Sequence, residues 1–118
     1  MKATYKLLLL SSGLLTLSAP VKAQSVYQAP YRSDGEVRVY VSRYKGEADL
    51  LVYKTQYRGE ATGNTGVWYF TEYRGIADKR IFITDTRGDA DIVICYTPYR
   101  GEAGWRNQQK KQLMEKKK

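Results

Sequence analysis

The sequence contains no histidine and a single cysteine, Cys95, within 118 residues. Without histidine, the chain cannot form a Ser-His-Asp or Cys-His catalytic group or an imidazole-ligated metal site. One cysteine cannot form the intramolecular disulfide that small exported domains commonly use. No phosphate-binding glycine motif and no zinc-ligand spacing occurs either. We therefore expect no metal and no cofactor, and we interpret Cys95 as a buried, inert thiol rather than as a nucleophile or an intermolecular bridge.

The first residues have the pattern of an export signal. Lys2 and Lys6 precede an apolar stretch at positions 7–17, and Ala23 is the small residue that ends a cleavage sequence. This stretch is too short to cross roughly 30 Å of hydrocarbon. We predict a signal peptide over residues 1–23, cleavage after Ala23, and a secreted or periplasmic protein without a transmembrane segment in its mature form. The alternative is an uncleaved anchor or a buried helix.

The formal net charge of +8 is concentrated at the two ends of the chain. Three of the 20 basic residues lie in the leader and six follow Trp105, whereas Glu115 is the only acid outside residues 24–105. The central part therefore has 11 basic and 11 acidic residues and is formally neutral. This balance argues against nucleic acid as a partner. We interpret residues 108–118 as a basic, solvated C-terminal tail, with polyanion binding through its lysines as a weaker alternative.

Five tyrosines mark an internal repeat, and they are spaced by 13, 13, 16 and 26 residues. They are Tyr31, Tyr44, Tyr57, Tyr73 and Tyr99. Thr86 stands where the double spacing lacks a tyrosine. We number each unit from its tyrosine, or from Thr86 in the fifth unit, as position one. Position two is then basic, and a glycine, an acid and an alanine commonly follow in that order. The third unit has three extra residues near positions 62–65, which we interpret as a longer loop. Such self-similarity indicates a repeat architecture.

Each unit divides into a connector and a strand. Positions seven to twelve are rich in Val, Ile, Tyr, Phe and Thr and alternate with period two, as in residues 37–42, so we predict strands of about six residues. Positions one to six form the connector. Glycine at position three suits a positive φ, and the neighbouring Asp or Glu can cap free backbone amides.

The two ends of the repeat region each contain part of a unit. Residues 26–30 match positions nine to thirteen, and residues 99–105 match positions one to seven. Together they would complete a sixth unit, which favours a chain that closes on itself and leaves no strand edge exposed. We predict an all-β, closed toroidal array of short strands. Val26, Tyr27 and Trp105 are expected to seal the ring, with Trp105 buried at the seam.

Three sequence features resemble the septoil-knot domain family. They are the repeated Y-[RK]-G-x-A-D, the segment Gly66-Val67-Trp68-Tyr69-Phe70, and the ending Ala103-Gly104-Trp105-Arg106-Asn107. Members of this family are short bacterial proteins whose chain forms a seven-crossing torus knot. The resemblance covers residues 26–114. It implies a knotted fold over residues 24–107 and transfers no catalytic residue. The family's connector often has Lys-Ser where this chain has Arg-Gly.

Carboxylates recur in almost every unit beside Arg or Lys, as with Arg58 and Glu60. Paired acids could serve hydrolysis. A catalytic pair should be singular, however, so we interpret the repeated acids as caps and as partners in ion pairs between units.

The tyrosines are the best functional candidates. Tyr44, Tyr57, Tyr73 and Tyr99 lie beside Arg or Lys, where aromatic faces could bind a glycan, a peptide or an envelope partner. Asn64, in the insertion of unit three, is a further candidate. The alternative is that each tyrosine packs its ring over the neighbouring unit. We expect a non-enzymatic, stable, exported binding or structural module, with a small cell-envelope hydrolase using paired carboxylates as the rival.

Overall fold

The computed structural model describes residues 23–60 and 63–115. In this part of the chain, seven β-strands alternate with short 3₁₀ helices. The strands are β1 (Ala23–Gln28), β2 (Val37–Val41), β3 (Leu50–Lys54), β4 (Gly63–Phe70), β5 (Lys79–Ile83), β6 (Ile92–Tyr96) and β7 (Gly104–Trp105). The predicted leader lies outside the described residues, except for Ala23 at the start of β1. None of the described helices is both long enough and apolar enough to span a bilayer.

The first six strands form a closed parallel ring. Around it the order is β4, β1, β5, β2, β6 and β3, and β3 pairs again with β4. Strand β7 pairs antiparallel with β3 and also contacts β4, so it occupies a seventh place between them at one end. Each strand therefore leads to the strand two places further round, and the chain winds twice through seven places. A seven-crossing torus knot is built by this winding. The predicted closed toroidal fold is confirmed.

The interior of the ring is filled by the side chains at position nine of the units, one from each of strands β1 to β6. These side chains have no solvent exposure, and five of the six are β-branched residues, which suit a pleated, buried surface. They are Val26, Val39, Val52, Trp68, Ile81 and Ile94. Because this layer closes the centre of the ring, the fold has a packed core and not a channel.

Residues 108–114 do not form the solvated tail that we expected. Gln108–Met114 is a 3₁₀ helix, and Met114 is fully buried within the core cluster at the amino end of the strands. The Gln24 side-chain amide donates to the Met114 carbonyl, and Lys110 forms an ion pair of 3.2 Å with Asp49. Residues 116–118, which carry three lysines, lie outside the described part of the chain. The basic segment is thus part of the fold up to Met114.

The two partial units do not form one strand together. Strand β1 pairs with β4 and β5, whereas β7 pairs with β3, so the two chain ends lie on opposite sides of β4. Trp105 is half-buried and not fully buried, and its Nε1 donates to Asn64 Oδ1 at 3.0 Å. Val26 lies in the core and Tyr27 is half-buried. Our expectation of a shared sixth unit was wrong. The two segments overlap in the repeat, because Gln24 of the first and Trp105 of the second both occupy position seven. Each segment therefore needs its own place in the ring.

The connectors turn without positive φ at position three. There the chain forms a one-turn 3₁₀ helix at positions two to four, for example Lys45–Glu47. Positive φ occurs instead at Gly63, Gly66 and Gly104 among the described residues, so the predicted role of the repeated glycine was wrong. A Cβ at Gly46 would meet nothing within 4 Å, and the structure gives no reason for glycine there. At Gly66, by contrast, a Cβ would lie 2.5 Å from the Leu51 carbonyl oxygen.

A candidate binding surface on the connectors

The tyrosines at position one project into solvent. Their exposed fractions are 72% for Tyr31, 65% for Tyr44 and Tyr57, 70% for Tyr73 and 63% for Tyr99. The alternative that each ring packs over the neighbouring unit is therefore wrong. The same structural position thus presents an exposed aromatic face in five connectors, which we call the tyrosine belt (Tyr31, Tyr44, Tyr57, Tyr73 and Tyr99).

The backbone that carries each tyrosine is held from the preceding strand. Position twelve is Ser or Thr in five units and is buried. Its hydroxyl oxygen accepts the N–H of the following position one, as in Ser42 with Tyr44 at 3.0 Å and Thr71 with Tyr73 at 3.1 Å. Thr86 is held in the same way by Thr84 at 3.2 Å, although it has no aromatic ring. The local fold therefore does not depend on the tyrosine side chain.

Ion pairs link neighbouring connectors around the ring. The basic residue at position two contacts the acid at position four of the next connector round. Arg74 binds Asp34 in bidentate geometry, with Nη2–Oδ1 at 2.6 Å and Nε–Oδ2 at 2.9 Å. The other three described pairs are Arg32 with Asp89, Arg87 with Glu47 at 3.3 Å, and Lys45 with Glu102 at 2.6 Å. We call this arrangement the connector ladder.

Two of the ladder acids, Asp34 and Glu102, are held in their ionised form. The hydrogen bond from Arg74 lowers the pKa of Asp34, and the hydrogen bond from Lys45 lowers the pKa of Glu102. The same contact raises the pKa of Lys45. A catalytic acid that works near neutral pH needs the opposite shift. The Asp34 and Glu102 carboxylates are therefore suited to an ion pair and not to proton donation.

The acids at position six cap the strands. Their carboxylate oxygens accept backbone N–H groups of a neighbouring strand, as in Asp49 with Val93 at 2.8 Å and Asp91 with Arg38 at 2.8 Å. Asp78 accepts the N–H of Ser25 at 2.9 Å in the same way. The predicted capping and inter-unit pairing of the acids is confirmed. Within the described residues, no group of three or more Cys, Asp or Glu side chains could hold a metal ion.

A groove of about 610 Å³ runs beside Tyr44 at the carboxyl end of the strands. Its walls combine aromatic rings with charged groups and hydroxyls. The residues that define it are Tyr40, Tyr44, Arg43, Glu47, Asp85 and Arg87. Mixed aromatic and hydrogen-bonding walls of this kind orient polar ligands that also have an apolar face.

Two other candidate residues have structural roles. Both polar atoms of the Asn64 side-chain amide form hydrogen bonds. Its Nδ2 donates to the Lys111 carbonyl at 2.8 Å, and its Oδ1 accepts from Trp105 Nε1. Asn64 therefore links the insertion of unit three to β7 and the C-terminal helix. Cys95 is buried and free, and it lies on the strand face opposite the core residue Ile94. The structure places neither residue in the tyrosine belt.

The sequence analysis missed two features at the ends of the ring. At the carboxyl end, Lys54 Nζ lies 4.4 Å from the Tyr96 ring centroid and 5.7 Å from that of Phe70. Burial raises the pKa of Tyr96. At the amino end, Lys79 is 4% exposed and lines a groove of about 450 Å³ with Glu36 and other residues. Aligning position eleven and position seven across the units would have revealed both lysines, since each is the only charged residue in its column.

Comparison with known proteins supports the fold. No curated protein and no solved structure matches the chain. A family model described as the 7(1) septoil knot domain matches residues 23–106, which is most of the chain. The match includes all seven strands and the tyrosine belt, and it ends before the C-terminal helix that places Met114 in the core. The chain therefore belongs to the septoil knot domain family.

Proposed function

We propose that this protein is an exported, non-enzymatic module that binds a glycan through its tyrosine belt. The observation that carries the proposal is the exposure of five tyrosines at one repeated position, each between 63% and 72%. Large aromatic side chains are costly to leave in water when the fold does not need them there. Thr86 supports this reasoning because its connector folds identically without an aromatic ring.

The chemistry of the belt suits a carbohydrate. Tyrosine combines an apolar ring, which can stack on the C–H face of a sugar, with a hydroxyl that can form hydrogen bonds. The groove beside Tyr44 adds Arg43 and Asp85, which can pair with sugar hydroxyls. Repetition around a rigid ring would allow one polymer to contact several tyrosines, and such multivalency raises the overall affinity without any new type of contact.

Two rival functions receive less support. A hydrolase needs a carboxyl group with a raised pKa, whereas the acids of the connector ladder are used in ion pairs and Asp49, Asp78 and Asp91 cap strands. The resolved pKa shifts, those of Asp34 and Glu102, are downward. Polyanion binding needs a basic surface, but the cations at position two are largely neutralised by acids in the ladder. Addition of a peptide strand is also disfavoured because the closed ring pairs both sides of its described strands.

The test is co-sedimentation of the protein with purified peptidoglycan, chitin and cellulose, followed by affinity electrophoresis in a soluble derivative of whichever polymer binds. Tyr44→Thr and Tyr57→Thr copy the residue of unit five and should leave the fold intact. Each should weaken binding by about 2–12-fold, which corresponds to the roughly 0.5–1.5 kcal/mol of one aromatic contact.

Leu113→Thr is the matched control, because Leu113 is an exposed apolar residue at the amino end of the ring. It should bind as the unchanged protein does. The proposal is wrong if none of the three polymers retains the protein, or if retention is lost in high salt but is unaffected by the tyrosine substitutions.

A further inference from the structure

A buried lysine lies at the amino end of the ring, at a position where the other strands have uncharged side chains. Lys79 occupies position seven of β5 and is 4% exposed. Strand alternation puts it on the same face as Ile81, which is fully buried in the core. Position seven is apolar and buried in three other strands, as Val37, Leu50 and Ile92. The fold of a strand therefore does not need a charge at this position.

The ammonium group of Lys79 has no partner among the described residues. It forms neither a hydrogen bond nor an ion pair with them, although removing a charge from water without a partner is costly. The part of Lys79 that stays exposed lines the groove of about 450 Å³, which we call the amino-end groove. The walls of this groove also include Glu36, Asp91, Gln112, Leu113 and Glu115. The unpaired charge is thus presented to a space that a ligand can enter.

The three acids of the amino-end groove differ in how far the fold uses them. Asp91 accepts the N–H of Arg38 at 2.8 Å and lies 3.6 Å from the Arg38 guanidinium group. Glu36 accepts the N–H of Arg80 at 2.9 Å through one oxygen, Oε1. Glu115 is exposed, and its carboxylate has no partner in the part of the chain that the structure describes. Carboxylate oxygens at Glu36 and Glu115 therefore stay available beside the unpaired cation.

The charges of the amino-end groove select between classes of ligand. A simple anion would be attracted by Lys79 and repelled by the carboxylates, and a simple cation would meet the reverse arrangement. A ligand that carries both charges can satisfy both groups. Leu113 is 37% exposed in the wall, and it offers an apolar contact to the aliphatic part of such a ligand.

We propose that the amino-end groove binds a small zwitterion of the amino-acid or short-peptide class. The ligand's carboxylate pairs with the Lys79 ammonium group, and its own ammonium group pairs with the available oxygens of Glu36 and Glu115. Binding supplies the partner that the fold does not give to Lys79. This site lies at the opposite end of the ring from the groove beside Tyr44, and it does not depend on glycan binding.

The probes are alanine, Ala-Ala and Ala-Ala-Ala with free ends, since each further residue separates the two end charges by up to about 3.5 Å. Titration into ¹⁵N-labelled protein should shift the amide signals of residues 79 and 112–115 more than those at the carboxyl end of the ring. Acetylation of the amino end and amidation of the carboxyl end each remove one charge from the best probe. Each change should weaken binding by about tenfold or more, and equal binding of the free and blocked forms would contradict the proposal.

Lys79→Leu separates ligand binding from folding. It copies Leu50, so the urea midpoint without ligand should stay the same or rise, because an unpaired buried charge is removed. The best probe should bind this variant about tenfold or more weakly. Lys54→Leu is the matched control, since it removes the same charge at the carboxyl end of the ring, and it should leave binding within about twofold.

A second pair of substitutions tests the acidic side of the groove. Glu36→Gln keeps an acceptor for the Arg80 N–H, and Glu115→Gln changes an exposed residue, so the double variant should fold as the unchanged protein does. It should bind the free probe more weakly, while its weak binding of the acetylated probe should stay unchanged, because that probe has no ammonium group.

Three further results would overturn the proposal. The first is the absence of localised shifts with all three probes at about 20 mM, a concentration at which millimolar binding is visible. The second is equal weakening of binding by Lys79→Leu and Lys54→Leu. The third is binding that occurs only after residues 116–118 are deleted, which would assign the partner of Lys79 to the segment that follows Glu115.

Discussion

Met114 offers a sharp test of how the ring is closed at its amino end. Its side chain is fully buried in the core cluster, although the family match ends eight residues earlier, at 106. Met114→Ala removes three heavy atoms. At about 0.8 kcal/mol for each buried methylene-sized group, plus a cavity term for incomplete collapse, the loss should be about 2.5–4 kcal/mol. This is a large share of the roughly 5–15 kcal/mol that stabilises a typical domain.

Leu113→Ala is the internal comparison for Met114→Ala, since the two residues are adjacent and similar in size. Leu113 is 37% exposed, so its truncation should cost clearly less than that of Met114. Equilibrium unfolding in urea measures both, with unfolding and refolding samples incubated until they agree, because a threaded chain refolds slowly. If Met114→Ala loses less than about 1 kcal/mol, the C-terminal helix does not seal the core and the fold described here is wrong at that end.

Two further predictions concern the connectors. Gly35→Ala should destabilise the fold by about 1–3 kcal/mol, because the added Cβ would lie 2.7 Å from Phe82 Cβ and 2.9 Å from Phe82 N. Gly46→Ala, where a Cβ meets nothing within 4 Å, should be neutral or stabilising in the same urea assay, and equal losses would contradict the packing described. The lowered pKa values of Asp34 and Glu102 contribute stability that is complete above their ordinary values of 3.8 and 4.5 and is lost as the pH falls through and below them. The melting temperature should therefore fall below about pH 4.5, and Asp34→Asn should flatten that decline; an identical pH profile would show that the ladder contributes nothing.

The sequence predicted the ring but not the places of its ends. Period-two alternation and the recurring tyrosine identified the strands, because both depend on local chain geometry. The partial units at residues 26–30 and 99–105 suggested closure, and the ring is closed. Their separation across β4 could not be predicted, since a double winding puts consecutive strands two places apart and the repeat pattern alone does not encode this offset.

The candidate site was predicted in part. The sequence identified the tyrosines but left open the alternative that their rings pack over the neighbouring unit, and only the structure shows that they are exposed. It assigned Asn64 to the binding surface because glycine-rich insertions often carry function. The structure instead uses Asn64 to hold Trp105 and the Lys111 carbonyl. Contacts between residues 41 and 47 positions apart cannot be read from local patterns.

The central claim is that the tyrosine belt serves recognition and not folding. The most direct measurement is co-sedimentation with the binding polymer of a variant in which all five belt tyrosines are replaced by threonine, with its urea midpoint recorded in parallel. The account predicts that binding is lost while the unfolding transition stays close to that of the unchanged protein, because Thr86 already occupies this position in a folded connector. Unchanged binding, or a variant that fails to fold, would contradict it.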